Sequence, residues 1–124
     1  MTRPKEIVRQ YLSELDKHIA DLKSGRAETT FEIQDMAALL HIHPVHLSNT
    51  IKQETGQSPC DIYEEKLMQV ARQLLTETRM PIGEIDHRLT FDPSNFTKFF
   101  RHFEGVTPRQ FRKSLTGKTE LLTN

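Results

Sequence analysis

The stretch DPSNFTKFFRHFEGVTP, residues 92–108, decides how the chain is read. It opens on Asp92-Pro93, a side-chain acceptor for an N-cap followed by a residue whose missing N–H costs nothing at the first helical position. Phe96, Phe99, Phe100 and Phe103 follow at three- and four-residue spacing. They share one helical face, so the stripe is expected to be core rather than a platform for stacked bases. Gly105 stands where a helix C-terminus favours a left-handed residue. Thr107-Pro108 then repeats the opening signal, and the next helix starts at once.

A shift of 49 residues finds the same pattern at 43–59, HPVHLSNTIKQETGQSP. Pro44 falls on Pro93, Leu47 on Phe96, Ile51 on Phe100, Lys52 on Arg101, Gly56 on Gly105 and Pro59 on Pro108. Upstream, Ile33 falls on Ile82, Met36 on Ile85, Leu40 on Leu89 and Ile42 on Phe91 without a gap. Each copy reads as a short helix, a turn, a second helix, a glycine turn and the start of a third. That is helix-turn-helix spacing, and two copies are too few for a solenoid. The motif needs a small residue in its first helix, the place of Ala37. Its turn needs a residue at positive φ, and His41 and Thr90 hold that place. Histidine tolerates it better than most; threonine is β-branched and strained there.

Working outward, Ile7, Val8, Tyr11, Leu12, Leu15, Ile19 and Leu22 form an amphipathic stripe closed by Ser24-Gly25. It is expected to pack on the first unit, the alternative being a dimerisation helix. Ser58-Pro59 opens a long helix carrying Ile62, Lys66, Leu67, Val70, Ala71, Leu74 and Leu75. The expected fold is all-α, two helix-turn-helix subdomains joined by a linker helix, about seven helices in total. The expected segments are an N-terminal helix over 1–27, the first unit over 28–57, the linker over 58–78, the second unit and closing helix over 79–115, and a flexible tail over 116–124.

Composition narrows the function classes. The 124 residues carry 17 Lys plus Arg and 17 Asp plus Glu, so a polycation acting by bulk charge is excluded. Cys60 is the single cysteine and can form no internal disulfide, which suits a reducing, cytoplasmic setting. No apolar run nears the ~20 residues of a membrane span, and no signal-peptide core opens the chain. There is no nucleophile–base pair, glycine-rich phosphate loop or acid pair, so no enzyme and no cofactor are expected. His41, His43 and His46 could suggest a metal, but roles as turn residue, cap and outward-facing side chain are preferred, with no metal. Cys60 reads as an ordinary linker-helix residue. Asp86 falls where a small apolar side chain is wanted; it is expected to tilt to solvent and pair with Arg79 or Arg88, with a destabilised second unit as the sharper possibility.

With these residues in view, the chain resembles the DNA-binding domain of the AraC/XylS family of bacterial transcription regulators. The resemblance covers roughly residues 30–112 and rests on IKQETGQSP (51–59), ARQLL (71–75), DPSNFTKFFRHFEGVTP (92–108) and the closing Phe111-Arg112. It departs at Asp86, at Thr90-Phe91 before Asp92, and at the linker helix, where an arginine common in the family has no clear match. The resemblance implies double-stranded DNA as partner, with no membrane, and a monomer on DNA or a weak homodimer; RNA polymerase is a further option. A linker of ~18 residues spans ~27 Å at ~1.5 Å per residue, which would let two second helices meet grooves one turn, ~34 Å, apart. Base-facing candidates are Val45, His46, Ser48 and Asn49 in the first unit, and Ser94, Asn95 and Lys98 in the second. Lys52, Arg101 and the helix start at Thr107 are the phosphate candidates. The alternative is a degenerate helix-turn-helix module that binds a regulatory partner or RNA polymerase. Its support is the acidic balance of residues 31–60, where Lys52 stands against Glu32, Asp35 and Glu54.

Overall fold

The computed structural model describes residues 3–27, 29 and 32–123, with side chains through residue 115. Its helices are α1 (Arg3–Ser24), α2 (Ile33–Leu39), α3 (Pro44–Thr55), α4 (Pro59–Glu77), α5 (Ile82–Arg88), α6 (Pro93–Glu104) and α7 (Pro108–Thr123). They form two compact units, residues 1–67 and 68–124. The expected tail over 116–124 falls on residues whose side chains lie outside those described; the α7 backbone is helical to Thr123.

In the first unit, α1 buries Ile7, Tyr11, Leu15, His18, Ile19 and Leu22 and packs against α3. From α2 come Met36 and Ala37, from α3 Leu47, Thr50 and Ile51. Lys66, read in sequence as part of an apolar stripe, instead reaches Asp16 at 2.6 Å. His18 Nε2 meets the Tyr63 hydroxyl at 3.2 Å with the rings stacked 5.9 Å apart. Burial lowers the His18 pKa against the opposing pull of Asp21.

The second unit repeats the backbone of the first at the 49-residue shift. Leu40 N–H donates to Met36 O, His41 to Ala38 O, and Ile42 to Ala37 O; Leu89, Thr90 and Phe91 donate to Ile85, His87 and Asp86 in the same pattern. These bonds satisfy the carbonyls that end each short helix. His41 (φ 57°) and Thr90 (φ 65°) are in the left-handed region, as the turn requires. Gly56 (φ 77°) and Gly105 (φ 84°) end α3 and α6 the same way.

Rings fill the second core. Phe96 and Phe100 are fully buried beside Ile85 and Leu89. Phe91 stacks on Phe99 at 4.8 Å, and Phe100 meets Phe111 edge-on at 5.4 Å. The stripe is not uniformly core: Phe96 and Phe100, four apart, are fully buried, whereas Phe99 and Phe103, four apart on its flank, are half-buried and 38% exposed. Arg112 of α7 donates to the carbonyls of Leu74, Leu75, Thr78 and Met80, at 2.6 Å for the last. One guanidinium thus closes carbonyls left open where α4 ends. Arg72 and Glu104 pair at 2.8 Å and tie α4 to α6.

Asp86 corrects the sequence reading. It is only 4% exposed, rather than tilted to solvent. Its position on α5 matches that of the buried Ala37 on α2 at the 49-residue shift, so the helix register carries it inward. The His87 backbone N–H donates to its carboxylate, while Arg88 reaches Glu84 at 3.3 Å. Burial, reinforced by nearby Asp92, raises its pKa despite that bond.

Candidate nucleic-acid interface

The second helix of each motif starts at a proline held by a side-chain cap. His43 Nδ1 accepts from Val45 N–H at 3.2 Å at the start of α3. Asp92 Oδ2 accepts from Asn95 N–H at 3.2 Å at the start of α6, adding negative charge at a helix N-terminus. These caps fix where the outward faces begin. Inward positions are taken by Leu47, Thr50 and Ile51 in α3, and by Phe96 and Phe100 in α6.

The opposite face of α3 carries Val45, His46, Asn49 and Lys52, all exposed. Val45 is 61% exposed, a large apolar side chain left uncovered at the first turn. On α6 the matching positions hold Ser94, Asn95, Lys98 and Arg101, also exposed. Ser48 departs from the expected set: it is half-buried on the shoulder of α3, as is its counterpart Thr97, whose Oγ1 donates to Pro93 O at 3.1 Å. The sequence reading passed over Gln53 and His102, which are exposed and correspond at the same shift. Extending the i, i+4 spacing from Asn49 and Lys98 finds them.

The three histidines of the first turn separate by role. His41 takes positive φ, His43 caps α3, and His46 is exposed on the outward face. No group of His, Cys, Asp or Glu among the described residues could hold a metal ion. Thr107 commits its hydroxyl and its N–H to a capping box: its Oγ1 accepts from Gln110 N–H at 3.1 Å and its N–H donates to Gln110 Oε1 at 3.0 Å. Cys60 lies near Glu64, Sγ to carboxylate 3.3 Å. Burial first, then that carboxylate, push its pKa up and keep it a thiol rather than a reactive thiolate. No helix among the described residues is long and apolar enough to cross a membrane.

Charge is uneven along the sequence. Residues 91–124 carry Lys98, Arg101, Arg109, Arg112, Lys113 and Lys118 against Asp92, Glu104 and Glu120. Around α3, Lys52 is the only cation of residues 31–60.

Residues 36–114 match the family model of a helix-turn-helix domain, spanning both motifs and α4. The chain belongs to the AraC-type helix-turn-helix family. It is 31% identical over 104 residues to the arabinose operon regulatory protein of Escherichia coli, covering 83% of this chain and 32% of that protein. Among solved structures it is similar to the C-terminal domain of AraT, a response regulator from Geobacillus stearothermophilus, with a TM-score of 0.75 and 33% identity over 87% of this chain and 84% of that one. The DNA-binding domain of AdpA, a global transcriptional factor solved with a target DNA, shares the fold at a TM-score of 0.76 and 17% identity, covering 90% of this chain and 94% of that one. The chain spans between about a tenth and about a third of the length of the curated relatives it matches. As an AraC-type chain it has the two motifs and linker helix that the resemblance implied.

Proposed function

We propose that this chain is a sequence-specific DNA-binding transcription regulator that places α3 and α6 in two successive major grooves. The observation that carries the reading is the repeated outward face: capped helices, identical turn bonds, and polar side chains at matching positions on each. Membership of a family of transcription regulators supports it.

In this reading the first turns of the two helices meet base edges. Asn49 and Asn95 suit adenine, which offers a donor and an acceptor side by side. Lys98 suits guanine, and Val45 a thymine methyl. His46 and Ser94 add short polar contacts, with Ser48 at the margin because it is half-buried. Lys52, Arg101 and the α7 N-terminus after Thr107, where the capping box leaves the Arg109 N–H, hold phosphates and set register rather than sequence. One chain carries both reading helices, so a monomer suffices and its site need not be palindromic. An activating role would add a contact with RNA polymerase. The setting is the cytoplasm.

Because α3 brings a single cation, we expect modest affinity and a shallow salt dependence, well short of a log–log slope of about −10. Binding of labelled duplex over a salt series measures it. Asn49→Ala combined with Lys98→Ala should abolish the specific complex. A slope near about −10 contradicts the modest electrostatic grip, and binding that survives both substitutions contradicts the base-reading roles; no duplex binding at all favours a module that recognises a protein.

A further inference from the structure

A cavity of about 520 Å³ opens within the first unit, and nothing in DNA recognition uses it. Tyr11 and Leu15 of α1, Met36 of α2, Ser48 of α3, and Pro59 and Tyr63 of α4 line it. Tyr11, Leu15 and Met36 are almost wholly buried, so the cavity reaches the core. It is open to solvent at one side, and its volume falls in the size range of small-molecule sites. We propose that it binds an uncharged aromatic molecule carrying one hydrogen-bond acceptor.

The lining sets that chemistry. Most of it is apolar or aromatic, which suits a flat ring. Its polar groups are hydroxyls, apart from the Glu32 carboxylate and the Cys60 thiol. Tyr11 makes only a long 3.4 Å bond to Pro59 O, and burial pushes its pKa up to about 12, so it stays a neutral donor. Ser58 Oγ accepts from Asp61 N–H at 3.1 Å and keeps its own proton to donate. No Lys or Arg lies among the lining residues. Glu32 is at the exposed edge, and Glu64 beside Cys60, so an anion is repelled at the mouth. An occupant rests against Ser48 on the shoulder of α3, next to Asn49. That consequence for DNA binding depends on the proposed function; occupancy itself does not.

The test therefore uses the full chain without DNA. The probe is 6-propionyl-2-dimethylaminonaphthalene, a neutral naphthalene with a carbonyl acceptor and environment-sensitive emission. We expect saturable one-to-one binding, with amide resonances of Met36, Ser48, Cys60 and Tyr63 shifting together and those of α6 unmoved. Cys60→Trp, at the exposed mouth, should weaken binding at least tenfold. 1-Anilino-8-naphthalenesulfonate, an anionic naphthalene of similar size, should bind at least tenfold more weakly than the neutral probe. Lack of saturation, shifts clustered instead around the exposed Phe103 and Val106, or equal binding of the anion overturns the proposal. If Cys60→Trp does not fold, the resonance map of the unaltered chain still decides it.

Discussion

Ala37 and Asp86 occupy the same place in their units, each on the face of a short helix that packs under the second helix of its motif. Ala37 is 1% exposed on α2, which packs against α3. Asp86 puts a carboxylate there, buried to 4% exposure. The backbone bonds around both are the same, so the turn tolerates either side chain without changing its path. The units differ in what surrounds that turn. The first is covered by the aliphatic stripe of α1. The second is filled by the rings of Phe91, Phe96, Phe99, Phe100 and Phe111. A shared backbone is thus held by two different solutions: the first borrows a long helix, the second concentrates bulky side chains within the motif and its closing helix.

The sharpest contrast lies at Tyr63 and Arg112, which also correspond at the 49-residue shift. Tyr63 pairs with His18, whereas Arg112 gathers carbonyls at the end of α4. Removing Arg112 leaves those carbonyls without a charged donor. Arg112→Ala should cost about 2–3 kcal/mol in urea unfolding, the scale of charge-assisted bonds lost from a partly buried group. A loss under about 0.5 kcal/mol would mean that water replaces the guanidinium at no penalty.

Asp86→Ala should move stability the other way. Burial raises the folded-state pKa of Asp86 above its unfolded value. Between those values the folded chain holds a proton that the unfolded chain has released, so stability falls as pH rises through this window. Above the raised value the penalty is fully present; below the ordinary carboxylate range it vanishes. The alanine variant should therefore gain about 1 kcal/mol at neutral pH, about 4 °C in Tm, and lose that advantage as pH falls toward about 4. A lower Tm at neutral pH would show that the His87 N–H bond outweighs the buried charge.

The smallest expected effect lies in the turn. Thr90 carries a β-branched side chain at φ 65°, and His41 a more tolerant one at φ 57°. Thr90→Gly relieves more strain than the flexibility of glycine costs, so it should stabilise by about 0.5 kcal/mol. His41→Gly should be closer to neutral. Paired thermal melts measure the difference, and equal effects would mean that both turns are equally strained.

Local signals made much of this legible in the sequence. Pro44, Pro93, Gly56 and Gly105 mark helix ends by their own backbone chemistry, and the ungapped shift placed His41 and Thr90 in the turn. What periodicity gives is a face, not its depth. It put Phe103 with the core and Ser48 with the base-facing set, because neither the reach of the interior nor the shoulder of α3 is written in local spacing. Asp86 was misplaced because a charge is expected to find water, while the helix register holds it inward. Arg112 and the first-unit cavity join residues tens of positions apart, and no motif announces them. Gln53 and His102 lie within reach of the repeat, one helical turn beyond Asn49 and Lys98.

The central claim is that α3 and α6 each read their own part of one DNA site. Selection from randomised duplexes, run in parallel with the unaltered chain, Asn49→Ala and Lys98→Ala, tests it most directly. The account predicts a two-part site in which each substitution relaxes base preference in one part and leaves the other intact, at about 1–3 kcal/mol per lost contact. Selected sites with a single preferred part, or substitutions that blur both parts alike, would contradict it.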